Sequence, residues 1–399
     1  MVKEQFSYSK INTYNICPRK YEFSYIDFYP RKGSSDIVLK GTLLHKMIEL
    51  YINDKDYDIP YEKEFLSLKE EDFNAFKEDF EKIKEQPLIK QLKKMKDSCE
   101  INVEQKLTNV FENFIFSGNT DTLVKNEKKL IIIDYKTGKV NQNFEQLEFY
   151  ALVSSYLYPE VQDFLLILSF VSHEQDLKIT LKKEDMFKIE NKLIKYISNI
   201  NNSIKFDKKV GPLCNYCDYK DECNKKDKLN KILEDINYSK KFLPSTNVVG
   251  PLVYNGYIGS NTIILNDIYN ENDFKTKRIL SGDEGTFLSN ILEEYKIKLN
   301  HLFLLNYNFF VDKNYNEFED VLKSFNKEQF EQILDIIKPK NIIIFGEDLY
   351  KKFTNLENFE HNTIKIFKDY NILAFNDINT IIENFENDNN FDILKNILE

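Results

Sequence analysis

Asp121, Asp134 and Lys136 are residue types that metal-assisted hydrolysis of a phosphodiester requires, and short-range geometry can bring them together. Such cleavage at neutral pH needs a cation to offset the charge developing on phosphorus and to activate water, with a basic side chain alongside. The run Lys129-Leu130-Ile131-Ile132-Ile133-Asp134 reads as a buried strand that ends at a carboxylate. Lys136, two residues on, shares the face of Asp134. Asp121 belongs to the preceding strand, and the turn Lys125-Asn126-Glu127-Lys128 fits a hairpin that sets Asp121 beside Asp134 within reach of one ion. His45 can add an imidazole nitrogen and the Tyr135 carbonyl an oxygen. Imidazole suits Mn²⁺ better than Mg²⁺.

A second group of donors is soft. Cys214-Asn215-Tyr216-Cys217 followed by Cys223 puts three thiols in one small loop, and Cys17 is the natural fourth, far earlier in the chain. Four thiolates hold either a four-iron four-sulfur cluster or a tetrahedral zinc, and the spacing does not separate the two. Either would staple the ends of one domain together, by analogy with a long-range crosslink worth about 3–5 kcal/mol. That points to a structural role. Cys99 stands outside the pattern and is expected as a buried or free thiol.

The elements around these residues follow from pattern. Ser9 is expected to cap a short helix that ends at Cys17-Pro18. A second helix is expected from about Gly41 to Tyr51, with His45 near its start, and Phe73, Phe76, Phe80 and Ile83 repeat at the spacing of a core-facing helix. Short strands then follow at 101–106, 114–118, 130–134, 164–170 and 177–181, with helices at 144–157 and 183–200. Strands framed by helices indicate a mixed α/β sheet. The polar stretch 228–247, ending Pro244-Ser245-Thr246-Asn247, is expected as a linker. Beyond it, strands at 262–265, 302–306, 341–345 and either 364–367 or 372–375 alternate with helices near 285–295, 326–337, 347–354 and 377–385. That alternation suggests a small parallel sheet.

The 399 residues, 42% of them apolar, are enough for two folded domains. The formal charge of −10 excludes a broadly basic nucleic-acid binder, so any DNA groove must be local. The arginines are Arg19, Arg31 and Arg278, and Arg19, next to a Cys-Pro pair, hints at phosphate contact. The apolar run from Phe164 to Val171 is far shorter than the roughly 20 residues of a membrane-spanning helix. Met1-Val2-Lys3-Glu4-Gln5 leads into no signal-peptide core, so a soluble cytoplasmic protein is expected.

Taken in order, these segments resemble the PD-(D/E)XK nuclease superfamily, in the branch of the RecB and AddB nuclease domains and the CRISPR-associated spacer-processing nucleases. The resemblance covers about residues 6–226. Ser7-Tyr8-Ser9-Lys10-Ile11 through Cys17-Pro18-Arg19-Lys20-Tyr21 is similar to the family's opening helices, Gly41-Thr42-Leu43-Leu44-His45 to its Gly-x3-His segment, and Glu104 to its strand glutamate. Asp121 and Asp134-Tyr135-Lys136-Thr137-Gly138 resemble the metal and lysine motifs, and Gln146 and Tyr150 the Gln-x3-Tyr helix that contacts DNA or supports the site.

The resemblance implies a restriction-endonuclease-like domain over 1–227 and a Mg²⁺- or Mn²⁺-dependent deoxyribonuclease with no catalytic position missing. His45, Asp121, Asp134 and the Tyr135 carbonyl would bind the metal, with Asp121, Asp134 and Lys136 catalytic. Glu104, Gln146, Tyr150, Arg19 and Lys20 would contact DNA or support the site. It favours a 4Fe-4S cluster on Cys17, Cys214, Cys217 and Cys223 over zinc. DNA is the implied partner, with a helicase, recombination or spacer-integration protein beside it.

Residues 248–399 faintly resemble the uracil-DNA glycosylase fold, through Leu280 to Leu288 and Lys338 to Gly346. Leu265-Asn266-Asp267 and Asn376-Asp377-Ile378 depart from that family's catalytic loops, which leaves Asp267 or Asn306 as nominees and a non-catalytic module as the preferred reading. A non-cleaving DNA-binding scaffold and a base-excision enzyme are the alternatives to a nuclease. The acidic end, with Glu383, Glu386, Asp388, Asp392 and Glu399, argues against this domain as the main DNA surface.

Overall fold

The computed structural model describes residues 3–30, 36–55, 70–96, 98–111, 113–242, 248–267, 269–312, 323–383 and 391–398. The chain divides into two compact units, one of Met1–Pro18 with Lys32–Asp207 and one of Arg19–Arg31 with Lys208–Glu399. The division does not fall at 227/228. Helix Lys220–Ser239 runs through most of the expected linker because Leu229, Ile232 and Ile236 recur on one face and are buried in the second unit's core. The end of that expected linker, 243–247, lies outside the described residues.

The first unit is built on a mixed six-stranded sheet. Its strands are β1 (Glu4–Phe6), β2 (Glu100–Val110), β3 (Phe114–Asn126), β4 (Lys129–Lys136), β5 (Asp163–Phe170) and β6 (Gln175–Lys182), in the order β1-β3-β4-β5-β6 with β2 also on β3. The β2/β3, β3/β4 and β5/β6 pairs are antiparallel, and the β1/β3 and β4/β5 pairs parallel. The β3–β4 turn is tight, with Glu127 at φ 46°. Helix Glu145–Leu157 makes the crossover from β4 to β5 that a parallel pair demands.

Helix Asp36–Ile52 packs Leu43, Leu44, Met47 and Ile48 against Val124, Ile133 and Tyr135 of the sheet, together with Phe80, Ile83 and Leu92. This helix starts earlier than expected, which puts His45 in its middle. Gly41 lies inside it, at a cost of only about 1 kcal/mol, and Leu39 packs against the same core. The cap of the first helix, Tyr8–Ile16, is Ser7 and not Ser9. Ser7 has extended backbone and its Oγ accepts from the Lys10 N–H at 3.1 Å, whereas Ser9 already lies in the first turn. Phe76 and Phe80 pack as expected, while the side chain of Phe73 lies outside the described residues.

The second unit carries a six-stranded sheet in the order 363–367, 370–375, 341–345, 262–266, 303–306, 254–256. The middle four strands are parallel and both edge strands antiparallel. Both candidate strands at 364–367 and 372–375 therefore exist, joined as a hairpin. Alternate residues feed two cores, Ile263, Leu265, Ile342 and Ile344 on one face and Ile264, Ile343 and Phe345 on the other. Asn306 is 1% exposed and tied up, accepting from Asn266 Nδ2 at 2.8 Å and donating to the Leu252 carbonyl at 2.9 Å. Glu386, Asp388 and Glu399 lie outside the described residues. Among the described residues no helix is long and apolar enough to cross a membrane.

Candidate metal centre

The hairpin sets Thr122 of β3 against Ile133 of β4, which brings Asp121 beside the end of β4. The Tyr135 N–H donates to Asp121 Oδ2 at 2.8 Å. Asp121 Oδ1 faces His45 Nδ1 at 3.3 Å, and His45 Nε2 lies 3.1 Å from the Tyr135 carbonyl. The Tyr135 side chain is buried, with its hydroxyl 2.9 Å from Thr122 Oγ1, so its peptide is held at both ends.

Glu104 completes the group. The β2/β3 register pairs Val103 with Thr122 and Gln105 with Thr120, so Glu104 stands opposite Asp121, with its own backbone left-handed at φ 53°. A left-handed glutamate costs on the order of 1–2 kcal/mol and persists where its surroundings hold it. Its Oε1 lies 3.9 Å from His45 Nδ1, and His45, Glu104 and Asp121 offer ligand atoms all within 4.8 Å of one another. His45 and Glu104 edge a cavity of about 690 Å³ shared with Thr42, Lys46, Glu49, Tyr135 and Lys136.

Asp134 is 3% exposed, and the Lys136 ammonium lies 2.5 Å from its Oδ2. That oxygen is buried and meets Lys136 as an ion pair. Burial first, then the like charge of Asp121, pushes the Asp134 carboxyl up to about 6. The Glu104 carboxyl is raised for the same two reasons. Burial works against a charged His45, but the Asp121 hydrogen bond and the charges of Asp121, Asp134 and Glu104 outweigh it and lift the imidazole above its usual value. Crowded hard oxygens with one imidazole are a donor set that fits Mg²⁺ or Mn²⁺.

Protons therefore compete with a cation here. In the metal-free fold the raised carboxyl of Asp134 contributes stability below the usual carboxylate value near 4, and that contribution is lost as pH rises through about 6. A bound divalent ion favours the ionised form and reverses the trend. The gain in Tm on adding Mn²⁺ should thus grow between about pH 5 and pH 7.5 in calorimetry; a gain independent of pH would contradict the assignment.

Lys136 is held from the other side. Its Nζ donates to Gln146 Oε1 at 3.2 Å, and Gln146 Nε2 donates to the Tyr150 hydroxyl at 3.1 Å. The Tyr150 ring lies on Gly118, where an added Cβ would stand 2.6 Å from Tyr150 Cε1. Gly118→Ala must move that ring and with it the support of Lys136. Overpacking of this kind costs about 1–3 kcal/mol, and cleavage is expected to fall by roughly 10-fold or more. Unchanged rates in G118A would show that Tyr150 does not act through Lys136.

Sequence reasoning missed Gly118, the Thr122 contact and the place of Glu104 among the donors. A glycine inside a strand was the available signal for the first. Arg19, expected to face phosphate, is instead 7% exposed and paired with Asp227, with Cys223 Sγ 3.8 Å from its Nη1. Asp227 also takes Lys208. Lys20 is half-exposed in the short helix Pro18–Tyr21.

Cys214 lies in the turn Pro212–Tyr216, Cys217 just beyond it and Cys223 in the first turns of helix Lys220–Ser239, all partly buried and free of disulfides. Among the described residues, these three sulfurs do not gather within 4.8 Å of one another. Cys17 caps helix Tyr8–Ile16, at the helix junction expected for it, and belongs to the first unit. Cys99 is partly buried against the first unit's core.

No curated protein matches the chain. Among solved structures, a candidate exonuclease from Eubacterium rectale is similar with a TM-score of 0.37 and 12% identity, over 53% of this chain and 88% of its own. The structure of SSO0001 is similar with a TM-score of 0.21 and 12% identity, over 46% of this chain and 94% of its own. The family description of the PD-(D/E)XK nuclease superfamily matches residues 5–224, more than half the chain and the span that holds His45, Glu104, Asp121, Asp134, Lys136 and Gln146. The chain therefore belongs to the PD-(D/E)XK nuclease superfamily.

Proposed function

We propose that this nuclease is a Mg²⁺- or Mn²⁺-dependent deoxyribonuclease of the RecB type, an exonuclease on single-stranded or frayed DNA in repair, recombination or defence, working in the cytoplasm. What supports this is the convergence of His45, Glu104 and Asp121 on one point beside the Asp134–Lys136 pair, with Lys136 held by Gln146. When bound, a divalent ion supplies Lewis acidity towards the phosphoryl oxygen and lowers the pKa of water. His45, Asp121, Asp134 and the Tyr135 carbonyl would hold it, and Glu104 would add a further oxygen. Lys136, aimed by Gln146 and Tyr150, orients the attacking water and offsets the charge that develops on the phosphate.

The thiol donors support a 4Fe-4S cluster in a structural role, with zinc as the alternative. The second unit positions DNA or a partner such as a helicase, recombination or integration protein. Its buried Asn266–Asn306 pair is already satisfied within the fold, which disfavours base excision. Digestion of end-labelled single- and double-stranded DNA with Mg²⁺ or Mn²⁺, on protein purified without air, tests the activity. Metal-dependent cutting that Lys136→Ala abolishes is the expected result, and no cutting with either metal would overturn it. Iron and sulfide content on the same sample tests the cluster.

A further inference from the structure

We propose that Lys46 is a substrate-binding residue of this centre, holding a backbone phosphate next to the one being cut, and that Glu49 is the counter-ion it gives up when nucleic acid enters. This rests on the nuclease reading above. Helix Asp36–Ile52 carries an apolar stripe, Leu43, Leu44, Met47 and Ile48, buried in the first unit's core. Thr42, His45, Lys46 and Glu49 recur at helical spacing on the other face, and all of them line the cavity of about 690 Å³. A polar helix face is ordinarily only solvated. Here His45 of the same stripe sets Nδ1 3.3 Å from Asp121 Oδ1, so the stripe is a wall of the centre.

Two observations single out Lys46. Among the described residues that line the cavity, the ammonium groups are those of Lys46 and Lys136, and Lys136 is engaged by Asp134 and Gln146. Lys46 Nζ donates to Glu49 Oε2 at 3.1 Å, in a pair whose side chains are 35% and 18% exposed. An open pair at i,i+3 is weak, so a phosphate oxygen can take the place of the Glu49 carboxylate. Both charges also act on the centre: beside burial and Asp121, which raise the Glu104 carboxyl most, Glu49 adds to the rise and Lys46 opposes it. Thr137 and Gly138 are exposed along the same cavity, and nothing lies within 4 Å of where a Cβ on Gly138 would stand. That leaves the approach to Lys136 open to a sugar-phosphate chain. Such a chain brings phosphates on either side of the scissile one, and Lys46 is the remaining ammonium in the cavity lining for a neighbour.

The test uses the full-length protein carrying Lys136→Ala, so that DNA is held and not cut. Fluorescence anisotropy of a labelled single-stranded oligonucleotide, with Mn²⁺ and over a range of salt, compares this background alone with Lys46→Gln, Glu49→Gln and both together. Lys46→Gln should weaken binding about 5- to 10-fold. It should also make the slope of log K against log salt shallower by about 0.7, the value of one phosphate contact on a single strand. Glu49→Gln should tighten binding about 2- to 5-fold, and only while Lys46 is present. With Lys136 restored, Lys46→Gln should lower kcat/KM through a raised KM. An unchanged salt slope in Lys46→Gln, weaker binding in Glu49→Gln, or an equal effect of Glu49→Gln with and without Lys46 would overturn the proposal while leaving the nuclease in place. Glu49→Gln keeps the test open should Lys46→Gln fail to fold. Wild-type protein that cuts no DNA with either metal would overturn the nuclease reading itself.

Discussion

Asp121→Ala is expected to abolish cleavage, with a loss of about 4 kcal/mol in transition-state stabilisation, or roughly a thousandfold in rate, as the floor. Asp121 touches two other parts of the site, with Oδ2 on the Tyr135 N–H and Oδ1 on His45. Removing it takes the carboxylate acceptor from the Tyr135 N–H and a charge from beside His45 and Glu104. Asp121→Asn separates these effects, since its amide oxygen can still accept from Tyr135 while the charge is gone. An Asp121→Asn variant that folds with a near-native Tm but does not cut would assign the loss to metal binding. Cleavage by either variant at more than a tenth of the wild-type rate would remove Asp121 from the site.

Cutting the chain at 227 is expected to have the largest effect on stability. Phe23 and Tyr29 belong to the second unit's core, where their rings stack at 4.7 Å. Tyr219 meets Phe23 edge-on at 5.6 Å, and Tyr257 meets Tyr29 at 5.0 Å. A fragment of residues 1–227 would keep Phe23 and Tyr29 but lose Tyr257 and the Leu229, Ile232 and Ile236 stripe of helix Lys220–Ser239. Each such large apolar side chain left in water costs about 1.5–3 kcal/mol, and a few of them match the whole stability margin of a domain. The fragment should aggregate or melt without cooperativity where the full chain does neither. A monodisperse fragment with the Tm of the intact protein would show that Phe23 and Tyr29 do not depend on the rest of the second unit.

The sequence carried the chemistry of the site further than its architecture. The juxtaposition of Asp121, Asp134 and Lys136 was legible because a strand that ends in Asp-x-Lys and a tight hairpin before it leave few ways to arrange three side chains. His45 was expected near the start of its helix and lies in the middle, since one glycine at position 41 reads as a boundary when packing carries the helix through it. The place of Glu104 beside Asp121 and His45 could not be read from the sequence. What turns it there is a left-handed backbone on a register opposite Asp121, and neither is written in local propensity. The same holds for Gly118, whose meaning depends on a tyrosine that only the fold lays over it.

Arg19 and the stretch 228–239 failed for a shared reason. Both look polar and exposed in isolation, and both are drawn inward by partners distant in sequence, Asp227 and Cys223 for the first and the second unit's core for the other. Long-range pairing of this kind overrides what a short window of sequence shows.

A Mn²⁺-soaked crystal of Lys136→Ala, with anomalous diffraction collected at the manganese edge, tests the central claim most directly. One anomalous peak within bonding reach of Asp121, Asp134, His45 and the Tyr135 carbonyl is the result this account predicts. An empty centre at saturating Mn²⁺, or a peak bound by other residues, would contradict it.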